Sequence, residues 1–311
     1  HAPGVLHNRD RRWHSGSSYA AARTVPMAAP CVPASNARMS ASQPRHTTSA
    51  ITSDIDCTLA YDVAGPTDFL FQVQALNGMD QTVLSESLTL TPALPHHSYC
   101  DPSVGHRFLR VHADKGPLQL RYAARVRRTP LAGDPKANEL PIAELPDELL
   151  HNLMPTRYCE SDHLSRASQR LFGALPPGRA RVDAIVDWIH ANVEYQVGSS
   201  QATTTARDVF VQRAGVCRDF AHLGITFCRA LNIPARLVVG YAPFDEPPPD
   251  FHAVFEAYLG GQWTLFDATR MSPLDRLVRI AVGRDAKDVA FATIFGPVTM
   301  TSMSPLINVV D

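Results

Sequence analysis

The sequence is short of several things, and each shortage narrows what the chain can be. No stretch comes near the roughly eighteen uninterrupted apolar residues of a membrane-spanning helix, so no membrane partner is expected. An excess of one charge is missing too. The 29 Lys and Arg stand against 30 Asp and Glu, a formal net charge of -1. That balance gives no electrostatic reason to expect nucleic acid as a partner. The six cysteines, Cys31, Cys57, Cys100, Cys159, Cys217 and Cys228, form no C-x-x-C pair. In a chain this long they do not read as a disulfide framework. There is no H-E-x-x-H for zinc, no D-x-[DN]-x-[DN]-G loop for calcium and no G-x-S-x-G serine elbow. No metal and no cofactor is called for.

What is present begins with length. The 311 residues exceed a typical single domain, so two domains are expected. Residues 1–53 hold six arginines and one acid, Asp10, among Ala, Ser and Pro. The segment reads as a disordered tail, or as a reading frame extended past a true start at Met27 or Met39. A transit-like leader is the competing reading, without the apolar core of a secretory signal. The expected location is the cytoplasm.

Residues 54–130 read as a β-sandwich-like domain. "TDFLFQVQALNG" alternates Phe69, Phe71, Val73 and Ala75 and reaches an Asn77-Gly78 turn signal. "PLQLRYAARV" sets Leu118, Leu120, Tyr122, Ala124 and Val126 on one face, with Gln119 and Arg121 on the other. Residues 131–156 are proline-rich and read as a linker, with "PDELLHNL" starting a short helix.

From 157 to 311 the pattern changes. Val182, Ile185, Val186, Ile189 and Val193 have helical spacing. "TARDVFVQRAG" predicts a second helix, capped by Thr205 with Asp208 near its positive end and stopped at Gly215. Phe220, Leu223, Phe227 and Leu231 predict a third, which Cys217 opens. Three strand-like runs follow, "ARLVVGY", "FHAVFEAYL" and "QWTLFDAT". Helices followed by antiparallel strands make an α+β domain.

A free thiol has a pKa near 8.5 and is mostly protonated at neutral pH. A helix N-terminus favours an anion there, and its N–H groups suit a developing oxyanion. A base is still needed, and the strands supply one. Gly260-Gly261 suits a two-residue primed turn. Leu259 then pairs with Gln262, Val254 with Asp267 and His252 with Thr269. His252, Val254, Asp267 and Thr269 share one face. His252 and Asp267 become diagonal neighbours, roughly 7–8 Å apart at the backbone and within side-chain reach. Asp267 can orient the imidazole while its other nitrogen meets the sulfur. Taken alone, each of these residues has a bland reading. Cys228 beside Phe227 reads as core. His222 reads as structural, because a C-x4-H spacing with no second pair holds no zinc. Asp219 supports the helix start by its charge.

"RYCESD", "AGVCRDFAHL", "CRALNIPARLVVGY", "HAVFEAYLGGQWTLFDAT" and "VGRDAKDVAF" occur in that order between residues 157 and 291. In this the segment resembles the transglutaminase-like superfamily, in its bacterial branch. The β region before it resembles the N-terminal domain often found there. The resemblance implies a papain-like α+β core with Cys217 as nucleophile, His252 as base and Asp267 as orienting carboxylate. Two positions depart from the family pattern. Val254 stands where a tryptophan is usual, predicting a His–Asp pair less shielded from water, and Ala268 stands where a proline is usual. A second oxyanion donor has no match. "FDEPPPD" (244–250) reads as a specificity lid or as a plain solvated loop.

Such a site would attack the acyl carbon of a peptide or protein substrate, release an amine and leave a thioester. Water as second substrate makes a peptidase or amidase; a lysine amine makes a cross-linking transglutaminase. A peptide-binding scaffold without activity is the third reading. Hydrolysis is the expectation, because water is always at hand.

Overall fold

The computed structural model describes residues 49–310, apart from 79, 102–104, 131–132 and 245–249. The expected tail falls mainly on residues 1–48, outside that set. Ile51–Ser53, assigned to the tail above, already belong to the first strand.

Six strands come first: β1 (Ile51–Val63), β2 (Thr67–Phe71), β3 (Gln81–Thr91), β4 (His96–Cys100), β5 (Arg107–Ala113) and β6 (Gly116–Arg128). The two-residue period sorts their side chains. In β6, Leu118, Leu120, Tyr122 and Val126 are buried while Gln119 and Arg121 are exposed. The linker carries two 3₁₀ turns, Ile142–Glu144 and Asp147–Leu153. Then come α1 (Ser165–Phe172), α2 (Arg179–Asn192), β7 (Glu194–Tyr195), α3 (Ala206–Gln212), β8 (Ala214–Gly215) and α4 (Cys217–Ala230). Four longer strands follow, β9 (Ala235–Tyr241), β10 (His252–Leu259), β11 (Gln262–Phe266) and β12 (Val278–Gly283), and last β13 (Ala292–Phe295) and β14 (Val298–Val309).

The strands build two sheets of the sandwich, in the orders β14-β1-β6-β3 and β13-β2-β5-β4, and a third sheet β11-β10-β9-β12. This corrects the expected boundary. The second domain does not run from 157 to 311, because β13 pairs with β2 and β14 with β1. Pairing, not sequence position, assigns these last strands to the sandwich. Among the described residues no helix is long and apolar enough to cross a membrane.

The third sheet holds the site's frame. Helix α4 lies against β10, and Gly224 is what lets it lie so close. A Cβ there would stand 2.5 Å from Cε1 of Phe255. The helix is enclosed, with every residue from Asp219 to Arg229 buried. One contiguous apolar cluster joins it to β10 and to the sandwich. Polar ties reinforce that junction. The Tyr241 hydroxyl donates to the Val73 carbonyl at 2.6 Å. Gln81 bonds both the N–H and the C=O of Arg279, each at 2.9 Å.

Helix α3 ends differently from the expectation. Its cap is Thr205 with Asp208 as predicted, but it stops at Gln212. Arg213 takes the left-handed conformation, φ 61°, and its guanidinium lies 4.6 Å from the ring centres of both Trp188 and Phe210. Cation–π contact offsets the backbone cost, and Gly215 is left to pair in β8.

Candidate active site

Cys217 is the first residue of α4. Asp219 secures the start of that helix by accepting from the Val216 N–H at 3.0 Å. This is the support expected from its charge, made through a hydrogen bond. The Cys217 sulfur is half-buried and lies 3.9 Å from the Phe251 carbonyl oxygen, so the helix start faces the start of β10.

The hairpin takes the register read from the sequence. Leu259 pairs with Gln262 and Phe255 with Phe266. Gly260 and Gly261 both have positive φ, 58° and 83°, as a primed turn requires. The ladder stops at Phe266, and Asp267 follows it. Asp267 Oδ2 accepts from His252 Nε2 at 2.8 Å. Its other oxygen, Oδ1, accepts from the Thr269 N–H at 2.8 Å and the Thr269 hydroxyl at 2.7 Å. Both carboxylate oxygens are thus committed. His252 Nδ1 is buried without a hydrogen-bond partner, and Cys217 is near enough to act electrostatically on the imidazole.

Burial alone would push the His252 pKa down. The hydrogen bond to Asp267, joined by contact with Cys217, wins and raises it to about 10. Burial likewise opposes charge on Asp267, yet the bonds from His252 and Thr269 hold its carboxyl below the ordinary value. His252 is 1% exposed. The smaller Val254 therefore does not open the pair to water. Val254 itself is buried among Leu76, Val238 and Leu277, and the Phe244 ring lies 5.6 Å from that of His252. Phe244 covers what a tryptophan at 254 was expected to cover. Residues 245–249 of the expected lid lie outside the described residues.

The other singled-out residues fall into place as packing. His222 stacks on Tyr158, ring centres 5.2 Å apart, and its Nε2 accepts from the Ala286 N–H at 3.2 Å. Burial pushes its pKa down to about 3. Cys228 is fully buried. Cys57, Cys159, Cys217 and Cys228 are free; Cys100 is disulfide-bonded, which the spacing of the six did not foresee. Thr269 and Phe244 were given no role by the sequence reading. Asp followed two residues later by Thr is a turn pattern with a local hydrogen bond, and that signal was there to find.

Two family models match this chain. The transglutaminase-like superfamily matches residues 166–268, and the bacterial transglutaminase N-terminal domain matches residues 52–148. A crystal structure of a candidate cysteine protease from Cytophaga hutchinsonii is 43% identical, with a TM-score of 0.82, covering 85% of this chain and 92% of that one. This chain belongs to the transglutaminase-like superfamily. Among curated proteins, an uncharacterized protein of Mycobacterium leprae is 30% identical over 149 residues, 44% of this chain and 52% of that protein. One from Mycobacterium tuberculosis is 32% identical over 130 residues, 36% of this chain and 41% of that protein. This transglutaminase-like chain thus spans about half the length, or less, of the curated relatives it matches. The superfamily model reaches from α1 to Ala268, so Cys217, His252 and Asp267 all lie inside it.

Proposed function

We propose that this protein is a cysteine-dependent amide hydrolase, a peptidase or amidase acting through a thioester. The observation that carries the reading is the His252–Asp267 bond at 2.8 Å, buried beside a cysteine at a helix start. The chemistry follows from the placement. His252, with its pKa held at about 10, already carries a proton at neutral pH as the sulfur attacks the acyl carbon. The imidazolium, favoured by Asp267, then protonates the leaving amine as the C–N bond breaks. Water enters, His252 takes its proton, and the carboxylic acid leaves as the C–S bond breaks, the proton staying on His252. A peptide or protein is the substrate, and the same thioester would pass to a lysine amine if water were excluded.

Alkylation and product analysis test this. Burial pushes the Cys57 and Cys159 thiols up to about 12 and raises Cys228 too. Iodoacetamide at pH 6 is therefore expected to label Cys217 first among these four. Cys217→Ala is expected to abolish turnover of peptide and amide libraries with the fold intact. Free acid should remain the main product when a primary amine is added. Dominant amine incorporation would instead make the protein a transglutaminase. Labelling of Cys217 no faster than Cys228, with no Cys217-dependent turnover, would leave a binding scaffold.

A further inference from the structure

Strands β7 and β8 form a two-residue parallel ladder with Tyr195 opposite Gly215. It is closed by the Glu194 N–H on the Arg213 carbonyl at 2.8 Å and the Gln196 N–H on the Gly215 carbonyl at 3.0 Å. Only Val216 separates Gly215 from Cys217, so the ladder fixes Tyr195 beside the start of α4. The Tyr195 ring packs on Phe220 of that helix, centres 6.0 Å apart. The side chain is half-buried, with a face toward solvent. Cys217 is close enough to act electrostatically on its hydroxyl.

We propose that Tyr195 is the second oxyanion donor of the site, its O–H acting with the Cys217 N–H on the oxygen that gains charge when sulfur adds to the acyl carbon. This rests on Cys217 being the nucleophile. Tyr195, paired opposite Gly215 and with its ring on Phe220, stands at the helix start whose first N–H is that of Cys217. An arriving carbonyl oxygen takes the Cys217 N–H, and the phenol turns its O–H toward the same oxygen. Burial first, and the neighbouring sulfur next, raise the Tyr195 pKa above its ordinary value, so the group stays a donor across the working range. As the C–S bond forms, the carbonyl π pair moves onto oxygen. It returns as the C–N bond breaks and His252 protonates the amine. The Tyr195 proton is shared and never transferred. Two polar side chains at this helix start are already engaged: Asp219 accepts from the Val216 N–H, and Arg218 donates to the Ser200 hydroxyl at 2.6 Å and the Gln201 carbonyl at 2.9 Å.

Two reagents that use the same sulfur separate this role from others. p-Nitrophenyl acetate acylates a thiol through an oxyanion, and iodoacetamide alkylates it without one. Tyr195→Phe removes the hydroxyl and keeps the ring on Phe220. The acylation burst is expected to slow about 10²- to 10³-fold, with alkylation of Cys217 changed by no more than about twofold. Equal loss in both reactions would show Tyr195 acting on the thiol, and no change in either would give it no part; each overturns the assignment and leaves the nucleophile standing. A burst in Cys217→Ala as large as in the wild type would overturn the nucleophile itself, and this inference with it.

Discussion

His252 and Asp267 are joined through Nε2 and Oδ2 at 2.8 Å, although the β10–β11 ladder ends at Phe255 and Phe266, three residues short of His252 and one short of Asp267. The hairpin delivers the two residues to one face, and the hydrogen bond, not the ladder, holds them together. Asp267 is free of backbone pairing and can be fixed from its far side by Thr269.

Removing that carboxylate is expected to lower the imidazole's proton affinity. The bond to Asp267 is the chief cause holding the His252 pKa up at about 10, against burial that lowers it. In Asp267→Asn only Cys217 is left to oppose burial. NMR titration should show the His252 midpoint fall from near 10. Turnover should fall on the order of 10⁴-fold, as an amide stabilises imidazolium poorly. A midpoint unmoved by the substitution would contradict the pairing.

Thr269 is a positioning residue. Thr269→Val removes the hydroxyl bond to Oδ1 and leaves the backbone one. A bond to a charged group contributes about 1.5–3 kcal/mol, so a loss of roughly tenfold or more in kcat is expected. Thr269→Ser should restore it, and the His252 midpoint should shift in Thr269→Val and return in Thr269→Ser. A purely packing role would leave that midpoint still.

Gly224→Ala places a methyl 2.5 Å from the Phe255 ring. Overpacking of this kind costs about 1–3 kcal/mol. Urea unfolding should show that loss, and adding Phe255→Leu should recover part of it. Full stability in the single variant would mean that the helix–strand contact is slack.

Glu256 is fully buried between Arg236 at 2.7 Å and Arg279 at 2.8 Å. Asp80 pairs with Arg279 from the sandwich side and with Arg128. Glu256→Ala leaves Arg236 without its carboxylate and Arg279 with Asp80 alone, and about 3–5 kcal/mol of destabilisation is expected. The sign with pH follows. Burial opposes the charge on Glu256, but the two arginines win and hold its folded pKa below the ordinary value. Its contribution is complete above the unfolded value of about 4.3 and is lost as pH falls through the lower folded one. Urea midpoints between pH 7 and pH 3 should show a shallower acid decline in the variant.

His222 works over a different window. Its folded pKa of about 3 lies below the unfolded 6.5 because burial excludes the charge. Below about pH 6.5 the unfolded chain gains a proton that the native one refuses, so stability falls by up to about 1.4 kcal/mol per pH unit. His222→Asn should remove up to one proton from that slope.

The site was legible in the sequence because it depends on local rules. A helix start, a two-glycine turn and the period of a strand place Cys217, His252 and Asp267 without knowledge of the rest. The cover over His252 was not legible. Val254 was read against its direct neighbours, while Phe244 arrives from the loop before β10. Tyr195 was missed because a two-residue ladder leaves no periodic signal. The sandwich showed in the alternation of β6 and β2. Its completion by β13 and β14 did not, because pairing between distant segments is written in neither segment alone.

The pairing of Ser53 with Val309 has a consequence for synthesis. A chain leaves the ribosome from its N-terminus, and β1 emerges without one of its two neighbours. It must wait through more than two hundred residues for β14, as β2 must for β13, closing loops that are slow to form. In that interval both strands present open edges. The helices and the third sheet, built from nearer segments, can assemble first. A translation product cut short before β13 would thus carry the Cys217, His252 and Asp267 side chains on a body whose sandwich stays unsealed. Such a product is expected to be lost to aggregation or proteolysis, so two strands that carry none of these three side chains decide whether the protein persists.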